Sequence, residues 1–421
     1  MPITRSLPLC RRTFVTDLAF NLIMDCGQAM LANGGEVFRA QDTMEIMARS
    51  FGIVDFHVYV LTNGIFASAQ NGTVSAVRHV PAVSTNLGHV EAINAISRRV
   101  ADGELDLNSA QLEFERMKRM PTLSPLYNCA AGTMGAGCFA MLFGGGLPEM
   151  LVGALGGLLA SASSCALSKH HISRIFRDML SAIAGTLTAL IAQLVYPALQ
   201  VNFAIIGALM VLTPGVALTM GIRDIINSDY LSGTIRLVDA LLVAGCLAVG
   251  VTLGYTLLST VTGGGMVSAA PVWFSMLVQF VVAMVATISF GITFQVGRRH
   301  YWTCGFVGAV GWTIYIACTT LGGMTAPMAT LIATLPLAAL SRFFAIRHKA
   351  PITVFLLTGI FPLVPGAGIY YTAYYFLRND RALCTSKGIE TLKVAVALAL
   401  GIAIVCSIPL PKRHAANRQA K

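Results

Sequence analysis

The sequence predicts an α-helical polytopic membrane protein, with ten transmembrane helices in a 5+5 inverted repeat behind a small soluble α+β domain. Three observations predict it. The 421 residues are 55% hydrophobic and only 11% charged, against roughly 25% charged in a soluble domain. With a mean hydropathy of +0.71, that excludes a water-soluble enzyme. Apolar segments of spanning length, roughly 20 residues, recur from Leu126 onward. Finally, a shift of 151 residues, which carries Phe139 onto Phe290, superposes the first five such segments on the second five without a gap.

Charge divides the chain near residue 120. Residues 1–120 hold 12 of the 19 acids and 11 of the 29 Lys and Arg, so the net +10 belongs to the apolar remainder of the chain. The bases there stand singly or in small groups between apolar segments, as the positive-inside rule expects, and not on one soluble face as in a nucleic-acid-binding protein. The chain divides into three domains: 1–120 soluble, 121–270 the first five-helix repeat, and 271–421 the second with a basic tail.

In the first domain, Val15, Leu18, Leu22, Cys26 and Met30 recur at helical spacing, while Asp17, Asn21 and Asp25 interrupt the apolar run. Phe14 to Ala32 is therefore an amphipathic helix and not a span. Leu7-Pro8-Leu9-Cys10 lacks the apolar core of a signal peptide ahead of it. After the turn Asn33-Gly34-Gly35 a second helix runs from Glu36 to Phe51. The period then changes to two: Val54 to Leu61 and Ile65 to Ala69 form a hairpin, and Thr73 to Val80 a third strand. Helices over Leu87 to Ala101 and Leu107 to Met117 close the domain. It holds Glu36, Asp55, His57, His79 and His89 but no nucleophile elbow, phosphate loop or H-E-x-x-H. It reads as a regulatory, scaffolding or gating domain and not as an enzyme.

The ten cysteines form no C-x-x-C pair and read as small packing residues, and His170-His171 beside Lys169, Arg174 and Arg177 reads as a loop face. No zinc pattern is present and no cofactor is expected.

The spans run near Leu126–Phe143, Leu147–Leu167, Met179–Tyr196, Phe203–Ile222, Leu237–Thr262, Val272–Phe294, Tyr301–Thr320, Met324–Phe344, Ile352–Phe376 and Leu392–Leu410. The shift also carries Gly157 onto Gly308, Pro214-Gly215 onto Pro365-Gly366, Asp229 onto Asp380, Asp239 onto Glu390 and Gly250 onto Gly401. A repeat of five spans is odd, so the copies enter the membrane in opposite orientation, a transporter architecture. With the soluble domain and the tail inside, the inner loops hold Lys169, Arg174, Arg177, Arg223, Arg236, Arg298, Arg299, Arg342, Arg347 and Lys349. The outer loops Gly144–Glu149, Pro197–Asn202 and Gly263–Pro271 hold no base, and only Arg378, Arg381 and Lys387 dissent.

In both halves the fourth span carries a Pro-Gly, at Thr213-Pro214-Gly215 and Val364-Pro365-Gly366. Proline removes a backbone donor and glycine loosens the helix, so each span is expected to break mid-membrane. Matching breaks in two repeats point to a binding site. A polar run comes after each: Arg223-Asp224, Asp229, Arg236 and Asp239 after the first, Tyr370-Tyr371-Thr372, Asp380, Lys387 and Glu390 after the second. Carboxylates in a dry pathway are natural proton carriers. Asp224 and Asp239 are the candidates, with Arg223, Arg236 and Glu390 beside them.

Thr213 to Thr219 with Ile222-Arg223-Asp224, Ser232-Gly233 and Arg236, together with Pro362 to Thr372 and Ser386 to Thr391, resemble the threonine/serine exporter family; so do Leu31 to Glu36 and Val100 to Glu104. The resemblance covers nearly the whole chain. It implies a proton-driven exporter of small hydroxyl amino acids in the cytoplasmic membrane, its two five-span modules fused in one chain, with the bilayer, substrate and protons as partners. Self-association is left open. Members built from separate chains are linked to dicarboxylate export, so a succinate-type substrate is the alternative within the family. A membrane-anchored sensor or hydrolase and a channel are the alternatives outside it. Many relatives carry Asn where this chain has Met220. The expected substrate site comprises Pro214, Gly215, Thr219, Pro365, Gly366, Tyr370, Tyr371 and Thr372, with Thr219 and Thr372 bonding the substrate hydroxyl.

Overall fold

A computed structural model describes residues 9–80, 85–170, 172–258 and 276–408. The expected loop at Gly263–Pro271, His171 and the basic tail from Lys412 lie outside them. The N-terminal segment begins with two helices, α1 (Leu9–Ala32) and α2 (Val37–Ser50). Gly34, at φ +84°, and Gly35 make the turn between them. A side chain at Gly35 would meet the Met30 carbonyl at 2.7 Å.

An antiparallel meander comes next, β1 (His57–Leu61), β2 (Gly64–Ala69) and β3 (Val74–His79), with Val60 opposite Ile65 and Phe66 opposite Val77. Its inner face turns Val60, Ile65, Ala67 and Ala69 onto the helices. The first strand is shorter than its alternating pattern predicts. Asp55 takes a left-handed conformation at φ +52°, which ends extended pairing there and leaves Val54 exposed. Helices α3 (Leu87–Ala101) and α4 (Leu107–Lys118) complete this segment. The Asn86 and Asp106 side chains cap them by accepting from the backbone N–H of His89 and Ser109. Ile23, Met24, Met44, Met47, Ile65, Ile93 and Phe114 form its own core.

The apolar remainder is helical: α5 (Pro125–Leu142), α6 (Leu147–Ser168), α7 (Arg174–Val195), α8 (Val201–Leu209), α9 (Gly215–Ile226), α10 (Tyr230–Leu258), α11 (Met276–Thr293), α12 (Tyr301–Thr320), α13 (Ala326–His348), α14 (Ile352–Gly359), α15 (Gly366–Leu377) and α16 (Arg381–Ser407). Among the described residues seven helices are long and apolar enough to cross a membrane, counting α12 with the short turn before it. A bent pair, Ile352–Leu363 with Gly366–Phe376, makes an eighth span, its two parts meeting at 48°. The chain is a helical multi-pass membrane protein. Of the expected ten spans, α5 and the α8–α9 pair fall outside this set.

Small residues let the helices approach closely, as membrane helix packing requires. A side chain on Gly153 would meet Ala140 at 2.9 Å, and one on Gly156 would meet Ala208 at 2.9 Å. At the centre α5 packs on α11: the Ser289 hydroxyl donates to the Ala131 carbonyl, and the rings of Phe139 and Phe290 meet edge to face at 5.5 Å. Leu151, Val195, Leu241 and Leu277 lie exposed, where a bilayer would solvate them.

Candidate functional site at the paired helix breaks

The fourth apolar segment of each half breaks where its proline stands. Helix α8 ends at Leu209 and α9 restarts at Gly215; α14 ends at Gly359, a short 3-10 turn covers Phe361–Leu363, and α15 restarts at Gly366. Pro214 and Pro365 each precede the first residue of the new helix, where a missing N–H costs nothing. Thr213 fastens the first break by donating its hydroxyl to the carbonyls of Leu209 (3.0 Å) and Met210 (3.1 Å).

The two breaks meet. A side chain on Gly215 would run into Val364, and the Gly366 backbone lies 3.5 Å from where it would stand. A side chain on Gly366 would in turn meet Met210 at 3.0 Å and Thr213 at 3.3 Å. The first turns of α9 and α15 close on Pro214 and Pro365, through Leu218 N–H and Ile369 N–H. Ahead of them the Gly366 N–H donates to the Val364 carbonyl at 2.7 Å, and the first amides of a helix otherwise have no partner within it. Two helix N-termini thus converge on one point, an arrangement that favours an anionic group.

Of the expected substrate residues, Thr219 is fully buried and donates to the Gly215 carbonyl at 3.1 Å. Thr372 donates to Gly368 at 2.7 Å. Both hydroxyl protons are thus spent on their own helix, and lone pairs remain for an incoming donor. Tyr370 and Tyr371 stand one to two turns into α15 in an aromatic cluster with Tyr374 and Tyr375. Tyr255 of α10 joins it at 6.3 Å from Tyr374 and donates to Asn202. Just ahead of the same break, Phe361 stacks on Phe290 at 3.4 Å, with Phe139 at 5.7 Å and Phe294 at 5.9 Å.

The charged candidates separate into distinct pairs. Asp224 faces Arg236 at 3.2 Å. Asp239 lies instead on Arg174 at 3.2 Å and is half-exposed, and Glu390 pairs with Lys387 at 2.9 Å on the surface. Arg223, buried, joins none of these acids; its guanidinium pairs with Glu36 at the start of α2. Met220 contributes its sulfur at 3.8 Å from the same guanidinium, and the Phe38 ring lies 5.7 Å away. Burial alone would raise the Glu36 carboxyl, but Arg223 and Arg39 outweigh it and hold the group below its ordinary 4.5.

A second buried acid was hidden from sequence reasoning altogether. Glu91 of α3 pairs with Arg299 and, at 3.0 Å, with the fully buried His300. Burial pushes its carboxyl up, and the hydrogen bonds from His300 and Arg299 pull it further down. Glu36 at least carried a signal, an acid directly after Asn33-Gly34-Gly35 and before an amphipathic helix. Glu91 carried none. Among the described residues no group of His, Cys, Asp and Glu is placed to hold a metal.

A multi-pass helical protein in which a broken span meets a second helix break at a buried point has the makings of a membrane transporter. Comparison with known proteins specifies which. Residues 21–258 match the family profile described as "Putative threonine/serine exporter", and residues 279–408 match a second, "Threonine/Serine exporter, ThrE". The chain belongs to the threonine/serine exporter family, a family of amino-acid export transporters and not of enzymes. It is 24% identical to a "Probable threonine/serine exporter" of Mycobacterium tuberculosis, over 96% of this chain and 78% of that one. It is 23% identical to the "Threonine/serine exporter" of Corynebacterium glutamicum, over 91% and 80%. No solved structure matches the chain.

Proposed function

We propose that the protein exports threonine or serine across the cytoplasmic membrane by proton antiport with alternating access, and that the substrate binds where the two broken spans cross. The observation that carries this reading is the contact of Gly215 with Val364 and Gly366. It brings two helix N-termini together for a substrate carboxylate, with the Thr219 oxygen one turn and the Thr372 oxygen nearly two turns along to accept from a hydroxyl or ammonium.

The reading takes α5 and the α8–α9 pair as the remaining spans and the two sets of five as inverted repeats. Helix boundaries support it: α8, α9 and α10 start at 201, 215 and 230, and α14, α15 and α16 at 352, 366 and 381, each 151 residues on. Topology supports it too. If α5 leaves the N-terminal face, the residues that touch the N-terminal segment, Arg223, Phe294, Gln295, Arg299 and His300, all fall on that one face. With bases crowding the same loops, that face is the cytoplasmic one. Protonation of Asp224, buried against Arg236, would bias which side opens, with Asp239 as the second candidate.

Counterflow of labelled threonine, serine and succinate in proteoliposomes, with and without a pH gradient, tests the reading. Saturable amino-acid counterflow driven uphill by protons supports it. Succinate alone moves the substrate to a dicarboxylate, which two converging N-termini would also accept, and flux without counterflow makes the protein a channel.

A further inference from the structure

The N-terminal segment touches both halves of the membrane part, and it does so unequally. To the second half it is bound through many bonds. Leu87 and Gly88 donate their backbone N–H to the carbonyls of Phe294 (2.9 Å) and Gln295 (3.0 Å), and the Asn86 amide donates to the Gln295 side chain at 3.0 Å. Glu91 pairs with Arg299 and His300, and Leu87 is buried in the core formed by α11, α12 and α14. A side chain on Gly88 would meet the Gln295 carbonyl at 2.9 Å, so the backbones approach as closely as glycine allows. To the first half the link, among the described residues, is one turn of α2, Glu36 on Arg223 with Phe38 beside the guanidinium.

The two anchors are rigidly joined. Asn86 N–H donates to the Asn33 carbonyl at 3.0 Å, and His89 Nδ1 lies 3.2 Å from the Asn33 side-chain oxygen. The turn ahead of Glu36 is therefore fastened to the helix that carries Glu91. Val37, Ala40, Val90 and Ile93 then share one core. A rigid body held at two points fixes the distance between them. The halves can separate on this face only if one anchor lets go, and a single ion pair releases before a set of backbone bonds, a capped helix start and a second ion pair do.

We propose that the N-terminal segment is a clasp that rides with α11 and α12, and that Glu36 positions α9 through Arg223 so that breaking this one pair opens the face it covers. Arg223 lies in the same half-helix as Gly215, two turns along, so its release frees the helix that carries the break. Glu36 is thus a positioning residue, acting on the crossing only through Arg223. The proposal rests on the transporter reading for the use of the motion, and on the two unequal anchors for its existence.

A thiol already in place reports it. Cys406, near the end of α16, is partly buried, and α16 packs through Ala395 and Ala399 on Ile222, the residue before Arg223. Full-length protein in nanodiscs, open to reagent on both faces, is treated with a membrane-impermeant maleimide, and labelling of the Cys406 peptide is followed by mass spectrometry. Glu36→Gln is expected to speed labelling at least fivefold. The reversed pair E36R/R223E is expected to return it to the wild-type rate, and Glu91→Gln to leave it within twofold. A thermal melt accompanies each variant. A folded Glu36→Gln protein that labels at the wild-type rate overturns the clasp; where the single variant does not fold, a folded reversed pair that labels faster than wild type overturns it equally. Failure of threonine or serine counterflow in the wild type would sink the transport reading and leave these labelling results to decide the clasp alone.

Discussion

Gly215 and Gly366, each the first residue of a half-helix, lie backbone to backbone, with Val364 filling the position that a side chain on Gly215 would need. Residues so far apart in the chain meet because both prolines stop a helix at corresponding points and both glycines let the restarted helices touch. Overpacking a well-filled contact costs about 1–3 kcal/mol, and here the cost falls on the crossing itself. Gly215→Ala is expected to cut counterflow at least tenfold at unchanged amounts in the membrane, with Val364→Ala in the same chain recovering much of it. A Gly215→Ala protein that transports as the wild type does would remove the crossing from the mechanism.

The Glu36 and Arg223 pair makes stability depend on pH in a stated direction. Glu36 is held below its ordinary 4.5 in the folded protein because Arg223 and Arg39 outweigh its burial. A carboxyl depressed by folding stabilises the fold above its ordinary value, and that contribution is lost as pH falls through the depressed one. Melting temperature is therefore expected to be insensitive to this pair from pH 7 to about 5 and to fall below that. Removing one partner of a buried pair costs about 3–5 kcal/mol. Glu36→Gln should accordingly melt lower than wild type at pH 7, and the two curves should converge in acid. Parallel curves down to pH 3 would show that the pair contributes no pH-dependent stability.

How much of the structure was legible in the sequence depends on the range of each signal. The breaks were legible because proline and glycine act on their own backbone: the helices stop a few residues ahead of 214–215 and 365–366 and restart at Gly215 and Gly366. The helices expected over Leu87–Ala101 and Leu107–Met117 stand at those positions, α4 one residue longer, and the structure adds their caps, Asn86 and Asp106. The partner of Arg223 was not. Glu36 lies 187 residues away, and a pair at that separation leaves no periodic trace. The acids nearer in sequence, Asp224 and Asp239, went instead to Arg236 and Arg174. The start of β1 failed for a local reason, since the alternation of Val54, Phe56 and Val58 gives no hint that Asp55 turns left-handed.

Phe361 offers a test of packing beside the crossing. It lies in the turn just ahead of Pro365, stacked on Phe290 and touching Phe139 and Phe294, so its ring ties the broken span to α5 and α11. Truncating a buried phenylalanine to alanine costs about 3–5 kcal/mol, because the cavity it leaves collapses only in part. Melting temperatures are expected to fall in the order wild type, Phe361→Leu, Phe361→Ala. An alanine variant that melts with the wild type would show the ring to be dispensable.

Asp224 and Asp239 differ in surroundings, and that difference separates their roles. Asp224 is largely buried and faces Arg236 at 3.2 Å, with Arg223, Asp229 and Glu36 also acting on it, whereas Asp239 is half-exposed on Arg174. A carboxyl shielded from water can couple its protonation to a conformational change; one already open to water exchanges protons with little consequence for the rest of the protein. Asp224→Asn is therefore expected to abolish uphill transport driven by a pH gradient while leaving exchange of labelled substrate at a measurable rate. Asp239→Asn should keep both within about twofold, since a surface pair contributes only about 0–1 kcal/mol. Gradient-driven uptake and equilibrium exchange, measured on the same proteoliposomes, decide the assignment. If the Asp239 variant loses the driven component and the Asp224 variant keeps it, the proton travels by way of Arg174 and α7.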